Sequence, residues 1–221
     1  MSLQFRITVR VPESHGEFSI MPRRIKEKRE RALGTKLFLK AERCNSPKCA
    51  TIRKPYRPGA HGRRRSMPTE FGRQLQEKQK IQLFYGLTNH QLQNLFSELS
   101  KEKIMAQLEQ RLDRVVFLIG FAGSPRIGRQ FVSHGHIMVN GRRVTVPSYH
   151  VKIGDVISVR PESRKAKIFE GVVERLHDFS PPEWLTITSL EELKGECIAE
   201  SISDDFQFPF DINLVGQFYS R

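Results

Sequence analysis

With 221 residues, 38% of them hydrophobic, the chain is long enough to bury a core. It has no apolar run near the ~20 residues that cross a bilayer and, within Met1 to Ile20, no continuous apolar stretch of a secretory signal. Three cysteines exclude a disulfide scaffold and point to a reducing compartment, cytosol or organelle matrix, while the net charge of +13 is unevenly spread: residues 1–80 carry +14, 81–180 carry +5 and 181–221 carry −6.

From Phe5 to Val11 apolar and polar residues alternate, which reads as a short strand or as an unpaired arm. Met21-Pro22 opens a more basic composition, so residues 1–20 are an appended extension or upstream sequence read from an earlier start codon. Between Arg23 and Arg65 lie 16 basic and 3 acidic side chains in 43 positions. Such a segment repels itself unless a polyanion covers it, and nucleic acid fits because each phosphate neutralised releases condensed counterions. Lys26 to Ala32 has helical composition with Gly34 as its stop, whereas Cys44 to Pro68, with Pro47, Pro55, Pro58, Gly59 and Gly62, reads as a long basic loop.

Apolar spacing of three and four predicts helices over Phe71–Tyr85, Thr88–Lys101 and Ile104–Gly120, the second opened by a Thr88/Gln91 capping box. Ser124-Pro125, an N-cap followed by proline at the first helical position, starts a short helix to about Ser133 that ends near Gly135. His136–Val139 and Arg142–Val144 flank Asn140-Gly141, the signal of a two-residue type I′ hairpin. Asp155–Arg160 supplies a further strand and Ser163–His177 a helix, and Leu185–Thr188 and Asn213–Tyr219 are strand-like. There is no internal repeat.

Arg126 and Arg129, three apart, project from one helix face while Ile127, Phe131 and Val132 turn toward the core. His134 follows, and Arg142 and Arg143 approach that helix if the hairpin folds back on it. The result is a compact basic patch on a rigid platform, suited to reading phosphate geometry and RNA shape. No GxxxxGK[ST], HExxH or GxSxG pattern occurs, so no catalytic residue is assigned. His90 and His177 read as helix-surface and helix-end residues, Trp184 as a core or packing anchor, and Asp113 as a partner for a neighbouring arginine or backbone N–H.

The stretches RLDRVVFLIGF (Arg111–Phe121), SPRIGRQFVSHGHIMVNGRRV (Ser124–Val144), PSYHVKIGDVISVR (Pro147–Arg160) and FYSR (Phe218–Arg221) resemble the small-subunit ribosomal protein S-four family of bacterial and organellar type. So do LFLKAERCNSPKC (Leu37–Cys49), RPGAHGRR (Arg57–Arg64) and FGRQLQEKQKIQLFYGL (Phe71–Leu87), which extends the likeness over about residues 23–221. The helix-helix-hairpin unit alone is shared with RNA-modifying enzymes and some aminoacyl-tRNA synthetases; the full-length likeness is what specifies the ribosome.

The resemblance implies a non-enzymatic, primary rRNA-binding protein that nucleates assembly of the 5′ domain of small-subunit rRNA. It further implies a place at the mRNA entry channel, contact with ribosomal protein S-five, an effect on decoding accuracy and a cytoplasmic or organellar ribosome as location. By matching position, RNA contacts fall on Arg111, Arg126, Arg129, Gln130, His134, Arg142 and Arg143, on Lys78 and Lys80, and on Arg53, Lys54, Arg57, His61, Arg63, Arg64 and Arg65 of the arm. Tyr219, Ser220 and Arg221 would face the protein partner. The alternatives are an RNA-modifying enzyme, for which no stretch is left to hold a catalytic domain, and a regulator that binds RNA off the ribosome, for example its own message.

Pro125 replaces a usual arginine of that family and Gly128 a usual alanine, Gln76, Gln82 and Leu83 stand where basic residues are common, and DINLVGQFYSR is about two residues short of the usual spacing. Some family members hold a metal with four cysteines. Here Cys44 and Cys49 have Glu27 and Glu30 at the upstream positions, so they read as a relic pair, and no metal or other cofactor is expected. The expected fold is α+β. It comprises an extension (1–20), a basic arm (21–69), a helical domain (70–110, completed by 162–221) and an inserted αL-type RNA-binding domain (111–161).

Overall fold

The computed structural model describes residues 26–40, 43–44, 46–63, 67–177, 179–199 and 208–220. The strand expected in residues 1–20, and Arg64, Arg65 and Arg221, lie outside these. Helix α1 (Lys26–Leu33) and one turn, α2 (Ala50–Arg53), are the regular elements described in the arm. Leu33, Leu37 and Leu39 form a small apolar cluster that packs on Leu83 and Phe84 of α3 (Glu70–Tyr85).

The helical unit follows as α3, α4 (Asn89–Glu98) and α5 (Lys101–Glu109). The hydroxyl of Thr69 accepts the N–H of Gly72 to start α3, and both halves of the Thr88/Gln91 capping box are made at the start of α4. Leu99 is extended, which ends α4 at Glu98 and gives Lys101 to the next helix. Two helices replace the one expected over Ile104–Gly120: α5 stops at Glu109, and α6 spans Leu112–Leu118. Arg111 is extended and bridges to His150, with Leu112 N–H donating to Tyr149 O at 2.8 Å and Val151 N–H to Gln110 O at 2.9 Å. Apolar spacing alone conceals this break, because α5 buries Ile104, Met105 and Leu108 in one core and α6 buries Leu112, Val115 and Val116 in another.

Helix α7 (Pro125–His134) and strands β1 (Ile137–Val139), β2 (Arg142–Arg143) and β3 (Val156–Val159) build the compact unit. Ser124 Oγ accepts the N–H of Ile127. Asn140 and Gly141 have φ of +50° and +76°, as the type I′ turn requires. Asn140 also ties the hairpin to β3: its Nδ2 donates to Asp155 Oδ1 at 2.7 Å, and its Oδ1 accepts Val156 N–H at 2.9 Å. Asn140→Ala loses both bonds and strains a left-handed residue, and is expected to cost about 2–3 kcal/mol. Asn140→Gly keeps the conformation and should cost less; thermal unfolding of the two variants checks the difference.

The chain then makes α8 (Pro161–Arg164), a 3-10 turn (Lys167–Phe169), α9 (Val172–His177), β4 (Leu185–Ser189), β5 (Lys194–Cys197) and α10 (Ile212–Tyr219). All five strands form one antiparallel sheet in the order β2-β1-β3-β5-β4, with Ile157 opposite both Val139 and Gly195. Three expectations change here. The helix expected over Ser163–His177 is three short pieces. Phe169, Val172, Leu176, Trp184, Leu185, Leu193 and Cys197 share one core with Val115, Val132 and Ile157, so residues 162–199 complete the compact unit, not the helical one. Asn213–Tyr219 is helix, not strand: Asp211 caps it by accepting Asn213 N–H, and Val215 enters the helical core beside Ile81, Leu92 and Leu108. No helix of the described residues is long and apolar enough to cross a membrane.

Candidate RNA interface

Helices α6 and α7 pack so closely that a Cβ on Gly128 would lie 2.6 Å from the carbonyl oxygen of Asp113, which explains glycine at this buried helical position. Phe131 and Val132 enter the core as expected, but Ile127 is 38% exposed and stays on the surface. Arg126 is exposed at the start of α7. Partial burial and the neighbouring charge of Arg129 hold its guanidinium below the ordinary arginine value. Arg129 also joins α7 to the end of α3, since its Nη1 donates to Gly86 O at 2.8 Å and lies 3.8 Å from Asp113 Oδ2.

Arg143 folds back on the helix as expected. Its Nη2 donates to His134 O at 3.4 Å, and its guanidinium covers Gly135. Arg142 and His134 are exposed, and Gln130 is half-buried. Arg111 is a correction. It is 7% exposed, and Nε and Nη2 grip Asp113 Oδ1 and Oδ2 at 3.1 and 2.8 Å, so it braces the platform instead of lining its surface. Asp113 has the structural role expected of it.

The expected lysines are also engaged locally. Lys80 Nζ donates to Glu77 at 2.6 Å, and Glu77 Oε2 accepts Asp211 N–H, while Lys78 lies 4.4 Å from the ring centroid of Phe218 and 5.3 Å from that of Tyr219. In the arm, Arg53, Lys54, Arg57, His61 and Arg63 are exposed. Arg31 donates to the carbonyls of Lys54 and Tyr56, and Arg31 and Arg63 each lie 5.2 Å from the Tyr56 ring centroid, so this loop is held by its own cations.

Two further polar side chains escaped the sequence reading, His136 and Arg160. The register Ile137↔Val159 sets them side by side, with Arg160 N–H donating to His136 O at 2.8 Å. Strand composition carries no register, so only the three-dimensional pairing reveals them.

Cys44 and Cys49 are buried, and burial pushes the Cys44 thiol up to about 11. Glu30 is fully buried with Oε1 accepting Leu37 and Leu39 N–H, and Glu27 pairs with Arg43 at 3.0 Å. Among the described residues no group of three or more His, Cys, Asp or Glu could hold a metal ion. Two thiols fall short of the four donors of a tetrahedral structural site, and Glu30 keeps its Oε2 buried without a hydrogen-bond partner among the described residues.

The S4 domain profile matches residues 110–157, and that of the ribosomal protein S4/S9 N-terminal domain matches residues 23–113. Small ribosomal subunit protein uS4 of Halothermothrix orenii is 47% identical over 194 residues, covering 85% of this chain and 93% of the relative. The chain belongs to the uS4 family. The uS4 proteins of Thermus thermophilus and Syntrophomonas wolfei are 44% and 40% identical over 195 residues, again with 85% of this chain and 93% of each relative covered. The S4 domain match spans α6 to β3 and stops at the strand from which β5 and β4 extend the sheet.

Proposed function

We propose that this chain is a structural, non-catalytic constituent of the small ribosomal subunit that binds its rRNA. The observation that carries this is the unbroken likeness to uS4 proteins across arm, helical unit and compact unit together, since the compact unit alone would imply no more than RNA binding. The exposed side chains of α7 and the hairpin, Arg126, Arg142, Arg143 and His134, form the rigid contact surface, and Arg53, Lys54, Arg57, His61 and Arg63 of the arm contact further phosphates. The target is the 5′ domain of the rRNA, with a contribution to the mRNA entry channel and to decoding accuracy. Tyr219 and Ser220, at the end of a helix stacked on Phe96, face ribosomal protein S-five.

Sedimentation of the tagged protein from a lysate tests this reading. Co-migration with small ribosomal subunits is the expected result, and a free, enzymatically active pool would contradict it.

A further inference from the structure

We propose that His134, His136, Arg143 and Arg160 form a proton-linked phosphate site, in which the guanidiniums and imidazoles hold one backbone phosphate of the bound RNA and an imidazole takes up a proton as it docks. The proposal rests on the RNA-binding reading above and adds a site to it, at the end of α7 where the sheet begins.

The four side chains come from different elements. His134 ends α7, Arg143 lies on β2, His136 precedes β1 and Arg160 follows β3. The rings of His134 and His136 are 6.0 Å apart. Arg143 lies over Gly135, the left-handed cap of α7 at φ +74°, with its guanidinium Nε and Nη2 in the space a Cβ there would take. His136 Nδ1 lies 2.9 Å from Ser163 Oγ of α8, and Phe131 and Phe169 present their rings to the same imidazole at 6.2 and 6.0 Å. Among the described residues Nε2 of His136 has no hydrogen-bond partner and is left for an incoming acceptor.

The charge pattern sets these residues apart from the arginines that brace the fold. Arg111 has Asp113 and Arg114 has Glu109, each at 2.8 Å, whereas Arg143 has no ion-pair partner among the described residues. Arg160 is joined by an exposed carboxylate, Glu162, which an RNA phosphate can displace. The charged groups acting on His136 are His134, Arg143 and Arg160, all cationic or able to become so. Partial burial first, and then these neighbours, hold His136 below the ordinary histidine value. In the free protein, therefore, its protonation opposes folding, and that contribution to stability is lost as pH falls below about 6.5. A phosphate reverses the balance: it cancels the neighbouring charge, accepts from Nε2–H and favours the imidazolium. The proton comes from solvent and no covalent bond changes.

Calorimetric titration of the full chain with a small-subunit rRNA 5′-domain fragment at pH 6.5, in buffers of different ionisation enthalpy, measures the proton directly. Net uptake is expected for the wild type and a smaller uptake for His136→Asn, which can keep the bond to Ser163. Between pH 7.5 and 5.5 the wild-type affinity should rise about three- to tenfold more than that of the variant. His134→Gln, at an exposed position, is the second variant should the first fail to fold, and Arg160→Gln should lower the salt slope by about one counterion. Tight RNA binding by the wild type without proton uptake would overturn the site and leave the RNA-binding reading standing, whereas no binding at all would overturn that reading first. Equal uptake driven by inorganic phosphate alone would make this a free-phosphate site and contradict the RNA assignment.

Discussion

Glu109→Ala is expected to cost about 3–5 kcal/mol of folding stability, because it strands a buried guanidinium. Glu109 ends α5, and its two oxygens are both spent: Oε1 accepts the Tyr85 hydroxyl at 2.6 Å and Oε2 accepts Arg114 Nε at 2.8 Å. Burial, and then the Glu109 carboxylate, hold the Tyr85 phenol well above its ordinary value. Arg114 is enclosed by the rings of Phe84 and Phe117, at 4.6 and 5.1 Å from their centroids, and its Nη1 has no hydrogen-bond partner among the described residues. With the carboxylate gone, the remaining charge has aromatic faces and the Asp113 carboxylate, which makes no hydrogen bond to it, to meet it. Glu109→Leu combined with Arg114→Met removes both charges at similar volume and should recover most of the loss. Denaturant unfolding of the single and double variants checks this, and a loss below about 1 kcal/mol for Glu109→Ala would mean that the pair is solvated.

Reversing the charge of Arg126 and Arg129 together is expected to lower the salt slope of rRNA binding by about two counterions and to weaken binding on the order of 100-fold at physiological salt. Arg129 also holds Gly86 O, so part of its effect comes through the joint between α3 and α7. Arg126→Gln alone separates the two contributions: it should lower the slope by about one with an unchanged melting temperature. An unaltered slope in a folded double variant would place the RNA on another face.

The parts of this fold that could be read directly are those decided within a few residues. Ser124-Pro125, the Thr88/Gln91 box and Asn140-Gly141 each encode a local geometry, and each forms. What escaped depends on partners distant in sequence. Arg111 reads as a surface cation until Asp113 and the backbone pairing with His150 enclose it. The apolar residues of Asn213–Tyr219 suit a strand or a helix, and Asp211 together with packing on α3 decides for helix. The membership of residues 162–199 is set by β5 pairing with β3, a register that no local signal carries. In the candidate site, Arg126, Arg142, Arg143 and His134 were legible because helix spacing and a tight turn place them. His136 and Arg160 were not, because only cross-strand pairing makes them neighbours.

Cations fixed by a small scaffold are expected to recognise one folded region of small-subunit rRNA. Titrating the full chain into a labelled 5′-domain transcript at physiological salt, against an unrelated RNA of equal length as competitor, tests it most directly. Saturable binding that persists in excess competitor is the predicted outcome; equal displacement by the unrelated RNA would contradict it.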